Sequence, residues 1–174
     1  MKMRFVASLL PTLFLSFTSC SYAAPAPLGF ELGEVTLKDL QAMGLLEKGY
    51  TGCDEILRSY ILSIPNLIDL DGAYTAYFRL DAKGLLQGVR LAMSEKKYDE
   101  VFKVLSEKYK LVDSFTTNNR LPFSPSKRVL FSSGNYKIEL TTQDDGIMQV
   151  EYYSEVLKKR CDMHIKSGKS NKLL

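Results

Sequence analysis

Hydrolysis by an activated nucleophile needs a base beside the nucleophile, and this chain has one histidine, His164, close to its C-terminal end. A Ser-His-Asp or Cys-His site therefore has no base among the central residues. The cysteines, Cys20, Cys53 and Cys161, are widely scattered, so with one distant histidine they lack zinc-ligand spacing. They form no Cys-x-x-Cys redox pair either. Carboxylates are the other route to hydrolysis. Asp69, Asp71 and Asp81 flank a predicted strand, and Asp144 and Asp145 sit in a predicted turn. Turn chemistry and solvation account for all five, and Asp69-Leu70-Asp71-Gly72 matches only the opening of a calcium loop. With no phosphate-binding loop or dinucleotide fingerprint, the sequence calls for no catalytic residue, no metal and no cofactor, and the chain is expected not to be an enzyme.

Recognition is the chemistry that remains. On an alternating strand from Tyr74 to Asp81, Tyr77 and Arg79 fall on the face opposite the apolar residues. Arg90 and Tyr153 fall on the same face of later strands, beside Thr75, Lys137, Glu139 and Glu151. Tyr and Arg are enriched where proteins bind one another, so these four residues are the first candidate surface. Its competing reading is a plain solvated sheet face. Arg120 and Phe123, in a polar stretch from Phe115 to Arg128 that reads as a long loop, are the second. Its competing reading is a variable connector.

Two helix-plus-hairpin units are expected to position these residues. Gly72-Ala73-Tyr74 and Gly134-Asn135-Tyr136 are 62 positions apart, as are Gly84-Leu85-Leu86-Gln87 and Gly146-Ile147-Met148-Gln149. The offset becomes 60 at Ser94-Glu95 and Ser154-Glu155. Two copies of one unit, about 30–93 and 94–155, follow from that pattern. In the first, Thr36 is placed to cap a helix carrying Leu37, Leu40 and Met43; in the second, Ser94 is expected to cap a helix with a stripe of Tyr98, Val101, Phe102, Leu105 and Tyr109. Tyr74, Ala76, Phe78 and Leu80 form one inner set, and Tyr136, Ile138 and Leu140 with Met148, Val150 and Tyr152 form another. The inner parity flips between Leu86 and Val89, which marks Gly88 as a β-bulge. Val129 to Phe131 adds a strand, and residues 54–65 fit either strand or helix, with strand favoured by analogy. The expected fold class is α+β: tandem helix-plus-antiparallel-hairpin units, with the helices on one face of an antiparallel sheet.

The ends of the chain read as an address and a tail. A basic start at Lys2 and Arg4, an apolar run from Phe5 to Phe17 and small residues before Ala24 form a secretory signal over residues 1–23, cut after Ala23. Thr18-Ser19-Cys20 admits a second reading, a lipoprotein acylated on Cys20. Either way the protein is expected to be periplasmic or secreted, with no transmembrane segment once processed. Cys53 and Cys161 then meet oxidising conditions and are expected to pair, closing a loop of about 100 residues worth about 4–5 kcal/mol in the chain-entropy model. Two thiols too far apart to bond are the alternative. Residues 24–161 form a single domain, and 162–174 read as a disordered basic tail.

Composition narrows the partner. In the whole chain of 174 residues, 23 Lys and Arg face 20 Asp and Glu. Without Lys2 and Arg4 the balance is 21 to 20, which points neither to nucleic acid nor to an anionic membrane. The order of elements from Gly29-Phe30-Glu31-Leu32-Gly33 through the two units resembles a class of small exported bacterial proteins with the architecture of the β-lactamase-inhibitor protein, over roughly residues 29–155. That resemblance implies a non-catalytic interaction role and nothing about the partner. Export, the missing catalytic base, the expected disulfide and the open sheet face with Tyr and Arg point to a binder of a protein partner, such as an inhibitor or immunity protein. A binder of a small ligand or envelope component in a pocket between the units is the alternative. Ser133-Gly134-Asn135-Tyr136 is one residue short of the Ser-Gly-x-x-Tyr element of periplasmic lysozyme inhibitors, and the repeat already accounts for its Gly and Tyr.

Overall fold

A computed structural model describes residues 24–42, 47–49, 58–63, 71–116, 127–142 and 145–166. These form an α+β fold around one antiparallel sheet of eight strands. The strands are β1 (Glu47–Gly49), β2 (Arg58–Ser63), β3 (Ala73–Leu80), β4 (Leu86–Ser94), β5 (Lys110–Thr116), β6 (Lys127–Ser133), β7 (Tyr136–Thr142) and β8 (Ile147–Ser154). The helices are α1 (Leu37–Gln41), α2 (Tyr98–Lys108) and α3 (Glu155–Lys166). Spatial order is β1-β2-β3-β4-β8-β7-β6-β5, so two four-stranded meanders meet at a β4–β8 seam. A helix precedes each meander: α1 before β1 and α2 before β5.

Period-two alternation builds the inner face. Ala76, Phe78 and Leu80 on β3, Val129 and Phe131 on β6, Ile138 and Leu140 on β7, and Met148 and Val150 on β8 are all buried in one core. Leu86 is buried too, and so are Val89, Leu91 and Met93 beyond it. The flip occurs where Arg79 pairs with Gly88 but Leu80 pairs with Leu86, leaving Gln87 as the extra residue of a bulge. Leu40 of α1 and Leu105 of α2 close the core from above. Tyr98, Val101, Phe102 and Tyr109 pack against it, Phe102 with its ring 6.0 Å from that of Phe131. Thr36 caps α1 in a reciprocal box: its hydroxyl accepts from the Asp39 amide while the Asp39 carboxylate accepts from the Thr36 amide.

Several expectations need correcting. Tyr74 points outward and is half exposed, because a second bulge between Ala73 and Thr75 turns it away and leaves Ala73 packed on the core. Ser94 makes no side-chain cap; a short 3-10 turn, Glu95–Lys97, intervenes and α2 begins at Tyr98. The stretch from Phe115 to Arg128 is not all loop, since Phe115 and Thr116 end β5 and Lys127 and Arg128 open β6. In the ambiguous stretch 54–65 the favoured reading holds instead: its described residues form strand β2, Arg58–Ser63. The segment from Asp162 is helical through Lys166, because α3 continues directly from β8. The helices also do not share one face: α1 and α2 cover the core side, whereas Leu157 and Cys161 of α3 lie with Arg79, Gly88 and Tyr153 on the other. Met43, expected on the first helix, lies outside the described residues.

Candidate functional site

The sheet register brings the sequence-nominated residues into two adjacent rows. Tyr77, Arg90, Glu151 and Glu139 stand side by side across β3, β4, β8 and β7. Arg79, Gly88, Tyr153 and Lys137 form the next row. Both guanidinium groups are engaged within the sheet. Arg79 Nη1 donates to Glu151 Oε1, and Arg90 Nη2 donates to Glu151 Oε2 at 3.0 Å. To reach Glu151 the Arg79 side chain crosses β4 at Gly88, where no side chain stands in the way. A Cβ at Gly88 would lie 3.0 Å from the Tyr152 carbonyl oxygen and 3.8 Å from the Arg79 Cβ.

Burial sets the electrostatics here. Desolvation pushes the Arg79 guanidinium below its ordinary value against the pull of Glu151, with Arg90 adding repulsion. Arg79 Nε is buried and has no hydrogen-bond partner among the described residues. A second cluster lies beside the first: Arg128 grips Glu139 through Nε at 2.8 Å and Nη2 at 3.2 Å, and the Tyr153 hydroxyl donates to the same carboxylate at 3.4 Å. Tyr153 is only 8% exposed, since α3 covers it and Lys158 Nζ sits 5.3 Å from its ring centre. Burial, then Glu139 and Glu151, push the Tyr153 phenol up. Of the four face residues nominated from sequence, Arg90 keeps 35% of its side chain exposed and Tyr77 is half-buried, whereas Arg79 keeps 17% and Tyr153 is buried, both beside Leu157 and Cys161 of α3. Arg120, Phe123 and Cys53 lie outside the described residues, as do Cys20, Asp69 and Asp144.

Two of the remaining nominated carboxylates, Asp81 and Asp145, do turn chemistry. Asp81 Oδ1 accepts from the amides of Lys83 and Leu85 at 2.9 and 3.0 Å, and Asp145 Oδ1 accepts from the Ile147 amide at 3.0 Å. Among the described residues no three His, Cys, Asp or Glu side chains converge on a metal position.

A cleft that sequence reading did not place lies on the opposite, core side of the sheet. It has a volume of about 250 Å³ and sits over the seam where the meanders join. Leu91 and Met93 of β4 and Val150 and Tyr152 of β8 form its floor. Val101, Val104 and Leu105 of α2 form one wall, and Pro27 and Leu28 of the N-terminal segment form the other. Two features hold that second wall in place. Residues 33–37 run along the start of β4, with Gly33 N–H donating to Leu86 O at 2.7 Å and Leu86 N–H donating to Val35 O at 2.8 Å. The Tyr136 hydroxyl donates to Leu32 O at 3.1 Å. Leu28 itself adopts left-handed backbone angles (φ 57°, ψ 22°), a conformation that costs a non-glycine residue about 1 kcal/mol or more.

The mouth is polar. Lys97 Nζ bridges Asp71 and Glu100, the latter at 3.0 Å, and both carboxylates raise its affinity for its proton. Tyr152 is mostly buried against Tyr109, and burial pushes its phenol up. A pocket between the units was expected, but its lining was not legible, because it comes from segments as far apart in the chain as Pro27 and Tyr152, and its strand and helix residues read as ordinary core. Val104 carried the only local signal, as an apolar residue on α2 that remains 55% exposed.

No family model matches the chain. No curated protein matches it either. Among solved structures, a DUF4309 family protein (YjgB) from Bacillus subtilis is similar at 15% identity, covering 77% of this chain and 88% of that one, with a TM-score of 0.47. Among the described residues no helix is long and apolar enough to cross a membrane.

Proposed function

We propose that this chain is an exported, non-enzymatic binding module whose cleft over the β4–β8 seam takes a small apolar ligand or envelope component. The observation that supports this reading is the cleft itself: a concave, mostly apolar site with a few charged groups at its mouth, where two halves of the sheet meet. The left-handed Leu28 in its wall fits the same reading, since strained residues cluster at ligand clamps.

The remaining features of the proposal concern processing and build. Residues 1–23 direct export, with cleavage after Ala23, or before Cys20 if that residue is lipidated. Cys53 and Cys161 pair, tying α3 to the first meander. The meanders are copies of one unit, which the positive φ of Gly72 and Gly134, and of Gly84 and Gly146, supports at matching turns. The architectural resemblance to exported inhibitor proteins supports the absence of catalysis.

The test uses 8-anilinonaphthalene-1-sulfonate, an apolar fluorescent probe, with thermal unfolding as the second readout. The probe is expected to brighten and to raise the melting temperature, by the equivalent of about 2.7 kcal/mol at 100 times its dissociation constant. Val104→Glu places a charge in a wall that already reaches solvent, and is expected to abolish both effects while leaving the fold intact. A parent protein that neither brightens the probe nor shifts, or a Val104→Glu variant that binds equally well, overturns the reading.

A protein partner is the second reading, and edge strand β5 favours it. Every residue of β5 is exposed, including Leu111 at 49%, Val112 at 49% and Phe115 at 55%. Exposed apolar edge strands recruit extended segments of other chains. Recovery of one protein from an envelope extract by the parent, and its loss with Val112→Lys, would identify β5 rather than the cleft as the site.

A further inference from the structure

We infer that α3 is an interfacial helix that docks the protein on an anionic phospholipid surface. The near-neutral charge balance hides a segregation. Residues 155–174 carry six Lys and Arg against two Asp and Glu, a net of +4, whereas residues 24–154 carry 15 against 18, a net of −3. Such an asymmetry between body and end is a mark of attraction to a charged surface.

The structure shows how the helix presents that charge. Leu157 and Cys161 turn toward the sheet, with Leu157 9% exposed. Val156 and Met163, seven residues apart on one stripe, point away from it and are 56% and 63% exposed. Lys159 and Arg160 lie three and four positions from each of them, so at 100° per residue one cation flanks the apolar pair on either side. Both cations are exposed and neither forms an ion pair among the described residues. The two acids of the helix are already neutralised, Glu155 by Lys137 at 3.2 Å and Asp162 by Lys158 at 3.8 Å. An exposed apolar stripe between unpaired cations is the pattern of a helix lying at the headgroup boundary, its stripe against the acyl region and its cations among phosphates. A nucleic acid would use the cations but leave Val156 and Met163 without a role.

The test measures partition of the full chain onto vesicles of phosphatidylcholine containing 30% phosphatidylglycerol, with pure phosphatidylcholine as the control. Binding is expected on the anionic vesicles and is expected to fall steeply when NaCl is raised to 0.5 M. Each basic residue near such a surface contributes about fivefold, so Lys159→Gln with Arg160→Gln should weaken partition roughly thirtyfold. Met163→Ser should weaken it on anionic vesicles without changing the salt dependence. The same differences are expected with residues 1–23 removed from parent and variants alike, which takes away the apolar N-terminal run's own affinity for lipid. A double variant within twofold of the parent overturns the inference, as does a Met163→Ser variant that partitions unchanged.

Discussion

Replacing Glu151 by Gln tests whether the outer face of the sheet is a structural layer or an open recognition surface. Glu151 sits between Arg79 and Arg90 and accepts from both, and the side chains of Arg79 and Glu151 are only 17% and 16% exposed. Removing one partner of a fully buried ion pair costs about 3–5 kcal/mol, because the other charge is left without compensation. Arg90 is 35% exposed and can turn to water, so the loss reduces to about 2–3 kcal/mol. The order of effects is more diagnostic than the size. Arg79→Met leaves Glu151 with Arg90, and is expected to cost about 1 kcal/mol. Combined with Glu151→Gln it removes the stranded guanidinium, so the double variant should be more stable than Glu151→Gln alone. Urea unfolding followed by far-UV circular dichroism reads this directly: at a slope of about 2 kcal/mol per molar, Glu151→Gln shifts the midpoint down by about 1–1.5 M. A shift under 0.3 M, or strict additivity of the two substitutions, would refute the reasoning and return Arg79 to the solvated face.

Two other consequences follow from the same layers. Tyr152 and Tyr153 both have phenols held above their ordinary value by burial, with Tyr109 contributing to the first and Glu139 and Glu151 to the second. The unfolded chain releases these protons near pH 10 while the folded chain keeps them, so stability present at neutral pH is lost as pH rises past 10, by at most about 2.7 kcal/mol per pH unit for the two together. Urea midpoints between pH 9 and 11 should fall steeply for the parent and less for Tyr152→Phe with Tyr153→Phe; matching slopes would exclude these phenols as the cause. Gly88→Ala brings a Cβ to 3.0 Å from the Tyr152 carbonyl oxygen and crowds the path of Arg79, so it should destabilise by about 1–3 kcal/mol, measured as a lowered melting temperature.

What could be read from the chain was whatever is repeated locally. Strand alternation placed Phe78, Ile138, Leu140, Met148 and Val150 in the core, and a single parity flip located a bulge to within one residue, at Gln87 beside the expected Gly88, because both depend on side chains one or two positions apart. The Tyr74 bulge was invisible for the complementary reason: its cause is pairing with β4, where Ala73 stands opposite Met93 and Thr75 opposite Ala92. Strand β5 was missed because Lys110-Leu111-Val112-Asp113 bulges between Leu111 and Asp113 and has no clean alternation. The outer face was assigned to the correct side, yet its accessibility was misjudged, since burial of Arg79 and Tyr153 depends on α3 folding back over them. A candidate surface read from alternation alone identifies a face of the sheet; whether that face reaches solvent is decided by what the rest of the chain lays on it.

The three helices divide the work in a way that follows from where their apolar residues point. Apart from Val104, which is left at the cleft wall, α2 directs its apolar residues to the core, so its free energy goes into fixing the sheet beneath and holding the cleft open. Short α1 contributes Leu40 and depends on its capping box. In α3 the apolar residues split, with Leu157 against the sheet and Val156 and Met163 directed to solvent. A helix that needed only to fold would leave the second stripe polar, as α2 does with Lys103 and Glu107. Retaining Val156 and Met163 among cations has a cost in water and a return only at an interface. If α3 lies on a bilayer, the sheet face it covers is turned toward that bilayer, and the cleft, on the other face, remains open to ligand.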